Sequence, residues 1–425
     1  MSQSEPVWLQ LIQFNKRVSD LHDQGGYEGG IALAIQACEL AGRYYGKDNV
    51  IFAIWLNELA MLYQSMGKYA TAGPLLHQAL EIKRKVLGEE DSDFALSLNN
   101  LAALCDSMGN YTAAEALYRQ ALEVTRKVLG EEHPDFAGSL NNLAKLYDSM
   151  GNYSAAERLY LQSLEVNRRS LGQEHPHFAS TMDNLASLYH SMGNHTAAEP
   201  LYRQALEVRR KVLGEAHPDF AISLNNLASL DDSMGNYAAA EPLYLQALAV
   251  TRKALGEEHP SFALILSNFG LLNRAMGNNA AAETLLRQAL EIRRKSLGEK
   301  HPSFAKSLNN LAELYTSRGD YSAAEPLLRQ ALEIKRTTLG EEHPSFATSL
   351  NNLAMLYDSM GNYAAAEPLY LRALDVNCRV LGEEHPNFAL SLNNLAALYH
   401  SMGNYPAAES LYRQAREVTR NDPPT

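Results

Sequence analysis

The sequence predicts an all-α solenoid of about ten helical hairpins, and two observations carry that prediction. Glycine recurs every 42 residues from Gly67 to Gly403, nine times without a slip. A second glycine keeps the same step from Gly46 to Gly382. Between these glycines lie two stretches whose apolar residues follow helical spacing. An unbroken period of this length is the signature of stacked repeats. One such hairpin cannot bury its own apolar face, so the copies must stack in order to fold.

The stretch from Pro344 to His385 stands for all copies. Leu350, Leu353, Ala354 and Tyr357 fall at i, i+3, i+4 and i+7, one face of a helix over 344–359. Pro344 suits the first helical position, where its missing N–H costs nothing. Glu341 and Glu342 put negative charge at that helix N-terminus. Met360-Gly361 ends the helix, because glycine takes the left-handed cap freely. A second helix is expected over about 364–380, with Ala366, Leu369, Tyr370, Ala373, Leu374 and Val380 on its apolar face. In another copy its last turns carry Arg209, Arg210 and Lys211, cations that suit a helix C-terminus. Pro368 lies near its start, as do Pro74, Pro200, Pro242 and Pro326, and should loosen or bend the first turn.

Along the chain, residues 1–50 are expected to form a degenerate capping copy, 51–420 the continuous array and 421–425 a frayed tail. In the first copy a helix over 8–21 should use Trp8 and Phe14 to cover the open end of the core. The seventh copy departs most. Asn268-Phe269-Gly270 replaces Asn-Leu-Ala, and Asn273 and Asn279 replace two tyrosines. This reads as drift with local softening, or as a kink or special contact point. Asp231 replaces a core tyrosine in the sixth copy and should weaken packing there. Arg416 replaces the leucine seen as Leu332 and Leu374, as the end of an array requires.

Composition narrows the class of activity. The net charge is −12, and Lys and Arg are spread through every copy, so no nucleic-acid face and no membrane patch are expected. No 18-residue apolar run exists, so no transmembrane helix is expected. The opening MSQSEPVWLQ lacks the basic start and apolar stretch of a signal peptide. Cys38, Cys105 and Cys378 have neither metal nor redox spacing, and Cys105 takes a core tyrosine position. A reducing, cytoplasmic setting follows.

Leu353, Ala354, Tyr357, Gly361, Ala366, Tyr370 and Ala373 resemble the pattern of the tetratricopeptide repeat (TPR). The 42-residue length, the LNNLA core and the LG-x-x-HP linker look like the kinesin light chain subfamily. The resemblance covers about residues 15–420. It implies a right-handed superhelical solenoid whose first helices line a concave groove, and a non-enzymatic adaptor that works through protein contacts.

On a helical wheel the face opposite the core of the first helix holds Thr348, Asn352, Met355 and Ser359. By the resemblance this face looks into the groove. Its constant part is an asparagine ladder: Asn100, Asn142, Asn184, Asn226, Asn268, Asn310, Asn352 and Asn394. Its variable parts run Leu96, Gly138, Ser180, Ile222, Leu264, Lys306, Thr348, Leu390 and Ala103, Lys145, Ser187, Ser229, Leu271, Glu313, Met355, Ala397. Asparagine both donates and accepts, so a row of them can pair with the amides of any extended peptide. Variable neighbours, with Lys145, Lys306 and Met355 the most distinctive, would then select side chains. The other role open to the ladder is capping or bridging neighbouring helices. The preceding asparagine, as in Asn141, Asn225 and Asn351, points to the flank, where an inter-repeat hydrogen bond is expected. Asp106, Asp148, Asp232 and Asp358 near the rim favour a mixed or mildly basic peptide with apolar anchors.

The linker histidines His133, His175, His217, His259, His301, His343 and His385 mimic a metal ladder. They are one repeat apart, near 10 Å or more by helix packing distances, too far for two to share a zinc. They read as a linker before a helix-starting proline. No phosphate-binding glycine loop, HExxH or serine-nucleophile motif occurs, so neither enzyme chemistry, nor a metal, nor a cofactor is expected. The chain is read as a monomeric, cytoplasmic scaffold that binds a peptide segment in its groove. The alternative is a regulatory or sensor subunit that docks a folded partner domain through its outer faces.

Overall fold

A computed structural model of the chain describes residues 6–420. Twenty helices follow one another as hairpins: α1 (Val7–Asp23) with α2 (Tyr27–Tyr44), α3 (Val50–Ser65) with α4 (Tyr69–Leu87), α5 (Ser92–Ser107) with α6 (Tyr111–Leu129), α7 (Pro134–Ser149) with α8 (Tyr153–Ser170), and α9 (Pro176–Ser191) with α10 (His195–Val212). The second half runs α11 (Pro218–Ser233) with α12 (Tyr237–Leu255), α13 (Pro260–Ala275) with α14 (Asn279–Leu297), α15 (Pro302–Ser317) with α16 (Tyr321–Leu339), α17 (Pro344–Ser359) with α18 (Tyr363–Leu381), and α19 (Pro386–Ser401) with α20 (Tyr405–Arg420). Odd-numbered helices of neighbouring copies also pack directly on each other, which places them on the inside of the curve.

The ends of these helices follow from their sequence. Every linker histidine is an N-cap: Nδ1 accepts the backbone N–H two residues on, at 2.9–3.1 Å. Asn49 and Asp91 do the same for α3 and α5. The histidine is thus part of the helix start as well as a linker. Gly361 has φ +72° and Gly382 φ +87°, conformations that side chains resist. The helix α18 is slightly longer than expected. Its proline, like those of α4, α10, α12 and α16, lies inside an unbroken helix.

Alanine makes the hairpins close. Ala354, Ala366 and Ala373 are fully buried, and their equivalents recur along the array. Adjacent copies are then joined by polar clamps. The hydroxyls of Tyr147, Tyr189, Tyr315, Tyr357 and Tyr399 donate to Glu115, Glu157, Glu283, Glu325 and Glu367 of the preceding copy at 2.6–2.8 Å. Asp231 stands where this tyrosine would be. It is buried, and burial raises its carboxyl above the usual range, with Glu199 adding to the rise.

Two expectations about irregular copies change. Trp8 is 56% exposed and does not cover the core, whereas Leu11 and Val18 do, with Phe14 packed beside them. Trp8 falls outside the buried stripe of α1. The seventh copy is compensated, not softened. Phe269 fills the core against Tyr244, and Gly270 leaves room for Leu286, which a Cβ would approach to 2.9 Å. Asn273 is buried and donates to the Phe269 carbonyl at 2.9 Å.

The solenoid winds tightly enough to touch itself. His301 Nε2 lies 3.1 Å from the Ser65 carbonyl, His343 Nε2 3.3 Å from that of Ser107, and His385 Nε2 3.2 Å from that of Ser149. Each pair is 236 residues apart. His259 makes the equivalent contact with the Asp23 backbone. The turns at Gly25, Gly67, Gly109 and Gly151 face Pro260, Pro302, Pro344 and Pro386 of the same seam. Copies one to four therefore meet copies seven to ten, and one superhelical turn closes on the next along this seam.

Candidate functional site: the inner wall

All eight ladder asparagines are half-buried on the odd helices. Asn184 donates to Asn141 and Asn268 to Asn225, both at 2.9 Å, so these two bridge copies. Among the described residues Asn100, Asn142, Asn226, Asn310, Asn352 and Asn394 have no side-chain partner within the chain. The flanking asparagines link copies as well: Asn57 donates to Ser97 at 3.0 Å and Asn351 to Ser391 at 3.4 Å.

Beside the ladder the variable positions are open. Leu96, Ile222, Leu264, Met355 and Leu390 are exposed apolar side chains, and Ile54 and Met61 of the second copy continue their two series. Extending the 42-residue register one copy back would have found these two, and Glu58 at the ladder position between them. A cavity of about 160 Å³ lies between α15 and α17, lined by Asn309, Glu313, Thr316, Leu328, Asn352 and Met355. Met355 is 49% exposed, so it offers apolar surface to whatever enters.

The wall is electrically uneven. Burial pushes the Asp106 and Asp148 carboxyls up to about 6, against the pull of the nearby Lys145 ammonium. Lys145 is therefore held in an acidic setting at copies three and four. Burial also raises Asp232, opposed by Arg274, and Arg274 pairs with Glu313 at 2.6 Å. Farther along, Lys306 is exposed on the wall with no carboxylate beside it. The predicted residues thus share one inner surface, but they form a strip along it and not one pocket. Among the described residues no group of three metal-ligand side chains converges, and no helix is long and apolar enough to cross a membrane.

A larger cleft, about 650 Å³, lies on the outer side between α6 and α8, with Arg119, Arg126, Arg158, Phe136 and Tyr147 in its wall. Arg119 and Arg126 are paired with Glu115 and Glu123.

The sequence profile of the tetratricopeptide repeat matches residues 50–124, 93–169, 177–253, 219–295, 261–337, 304–379 and 345–421. A second profile of the same repeat matches 141–211. No curated protein sequence matches. Among solved structures, the chain is similar to BtubC (BKLC) from P. vanneervenii, at 28% identity over 53% of this chain and 90% of that one, with a TM-score of 0.45. A kinesin light chain candidate from Podosopora anserina with nearly identical TPR-like repeats is 31% identical over 49% of this chain and 99% of its own, with a TM-score of 0.41. A Rap protein complexed with Competence and Sporulation Factor aligns over 98% of both chains at 13% identity and a TM-score of 0.54, a likeness of fold alone. The period, the stacked hairpins and the profile matches agree: the chain belongs to the tetratricopeptide-repeat family and is a protein-interaction scaffold in that general sense.

Proposed function

We propose that this scaffold holds an extended peptide segment of a partner protein along its inner wall. The observation that carries this reading is the row of ladder amides with hydrogen-bonding capacity to spare, set between two open and variable series. Backbone amides of an extended chain match such a row whatever their side chains. Exposed Leu96, Ile222, Leu264, Met355 and Leu390 offer contacts for apolar anchors, and the raised carboxyls of copies three and four suit a basic residue. The closed turn also favours a thin ligand over a folded domain. Its setting is proposed to be the reducing cytoplasm, in keeping with three free cysteines.

The second reading, docking of a folded domain on the outer side, is favoured by the cleft between α6 and α8. Replacing Asn226, Asn310 and Asn352 with Ala separates the two. Pull-down from native lysate with wild type and variant, read by mass spectrometry, should lose the partner while the melting profile stays close to wild type. A partner retained by the variant would overturn the groove reading. Its loss on Arg119→Glu instead would place the site on the outer cleft.

A further inference from the structure

One position on the even helices, about one turn before their C-terminal ends, faces the next odd helix and is polar in most copies: Lys83, Thr125, Asn167, Arg209, Thr251, Arg293, Lys335 and Asn377. Two of its four cations have acidic company. Arg209 pairs with Asp183, both buried, and Lys83 feels Asp93 and Asp91 while donating to the Asp93 carbonyl at 3.2 Å. The other two do not. Arg293 is 4% exposed and donates only to the hydroxyls of Ser267 and Ser307, Ser267 occupying the place that Asp183 holds two copies earlier. Lys335 has Asn309 at that place, and the buried Asn309 carbonyl oxygen is left without a donor, so the Lys335 ammonium does not turn to it.

Lys306 adds a third cation. It replaces the apolar or small neutral residue that every other copy from the third to the tenth carries there, and it stands on the inner wall. Lys306 lies close enough to feel both Arg293 and Lys335, and the surrounding protein, although it leaves the Lys306 side chain exposed on the wall, acts with this mutual repulsion to lower both lysines, Lys335 to about 8. The other titratable groups facing them are the seam histidines His301 and His343, which Lys335 also disfavours in charged form. Among the described residues no carboxylate pairs with any of the three cations. Three crowded, uncompensated cations in a chain of net charge −12 are costly unless a ligand supplies the missing negative charge.

We propose that Lys306 and Lys335, backed by Arg293, form an inner-wall site for a dianionic oxyanion of the phosphate-monoester class, presented as a phosphorylated side chain by the segment in the groove. The presentation rests on the groove reading, but the anion site does not. A phosphate monoester carries close to two negative charges at neutral pH and oxygens that accept several charge-assisted hydrogen bonds, which fits two ammonium groups beside a guanidinium held by Ser267 and Ser307. A carboxylate brings one charge and leaves the site under-neutralised.

The test uses the full chain and substitutions that other copies already carry. Lys306→Thr copies Thr348, and Lys335→Thr copies Thr125 and Thr251. At pH 7.5 and constant ionic strength, inorganic phosphate should raise the melting midpoint of wild type saturably above the chloride control. The double variant should weaken that response about tenfold or more, a loss of about 1.4 kcal/mol or more, and Lys145→Thr should leave it unchanged. A degenerate peptide library with a central phosphoserine should be retained by wild type over the same library with serine, and the double variant should not discriminate. No saturable phosphate response, or one that survives in the double variant, overturns the site. A phosphate response with no discrimination between libraries assigns the site to the free ion and overturns the presented side chain. Retention of a single-stranded RNA oligonucleotide in place of the phosphopeptides also overturns it. Failure of the groove reading is told apart by Asn226→Ala, Asn310→Ala, Asn352→Ala, which should keep the response to inorganic phosphate.

Discussion

Acid should open the superhelical turn. In the closed turn His301 and His343 each do two jobs: Nδ1 accepts a helix-start N–H from Ser303 or Ser345, and Nε2–H donates to the Ser65 or Ser107 carbonyl. That pattern fixes a neutral tautomer, because a proton on Nδ1 would face another N–H. Burial holds both imidazoles down at about 4 from an ordinary 6.5, with Lys335 disfavouring the charge on each and Arg293 on His301 as well. The sign follows from linkage. A depressed value means that the stabilisation is complete above pH 6.5 and is lost as the pH falls from 6.5 toward 4. At pH 5 an open turn binds nearly one more proton per imidazole, which costs up to about 2 kcal/mol each and about 4 kcal/mol for the pair. Asp106 and Asp148 act the other way. Their raised carboxyls make the fold gain stability as the pH falls below about 6, so acid loosening cannot come from them. Small-angle scattering should show the radius of gyration growing between pH 7.5 and pH 5 while far-ultraviolet dichroism keeps its helical signal. His301→Asn with His343→Asn retains an N-cap of the kind Asn49 provides but cannot reach across the seam. That variant should be looser at pH 7.5 and lose most of the pH response. An unchanged radius in wild type, or an equal expansion in the variant, would refute the reasoning.

Two further outcomes follow from the same contacts. Gly151→Ala and Gly319→Ala each place a side chain at positive φ, at a cost of roughly 1–2 kcal/mol. Only the first also drives a Cβ to 2.8 Å from Pro386, so scattering should show expansion for Gly151→Ala and not for Gly319→Ala. Asp231→Tyr should restore the clamp to Glu199 that Tyr189 makes with Glu157, and remove a buried carboxyl. A gain of about 1 kcal/mol or more is expected in denaturant unfolding, and an equal or lower midpoint would argue that copy six has repacked around the aspartate.

Much of this was legible in the sequence because local rules govern it. Gly361 and Pro344 mark helix ends by backbone geometry alone, and Leu350, Leu353, Ala354 and Tyr357 share a face because a helix has 3.6 residues per turn. Other features depend on which residue of another copy stands opposite. Asp231 read as a plain weakening because the Glu partner of its tyrosine lies 32 residues away in the equivalent pairs. Lys306 was legible as an outlier on the inner wall, but its missing counter-charge was not. That fact involves Arg293 and Lys335 on two even helices, one of which precedes Lys306 by 13 positions and the other of which follows it by 29. The ladder amides were legible as a row, yet only packing decides that Asn184 and Asn268 are spent on bridging copies.

The seam gives the unbroken period a physical meaning. Stacking alone tolerates repeats of unequal length, since extra residues can loop out between helices. Contacts between turns do not, because they require the accumulated rotation and rise of several copies to agree. Three pairs at the same separation of 236 residues mean that each copy adds nearly the same rotation and rise. Once one histidine meets the carbonyl below it, the next must do so one copy on. The same argument explains why identical His-Pro linkers behave differently. His133, His175 and His217 cap their helices as the others do, but among the described residues no earlier turn lies beneath copies four to six, and the second nitrogen of these three makes no such contact. The sequence repeats the part seven times, and only the winding of the chain decides that the last four copies use its second nitrogen.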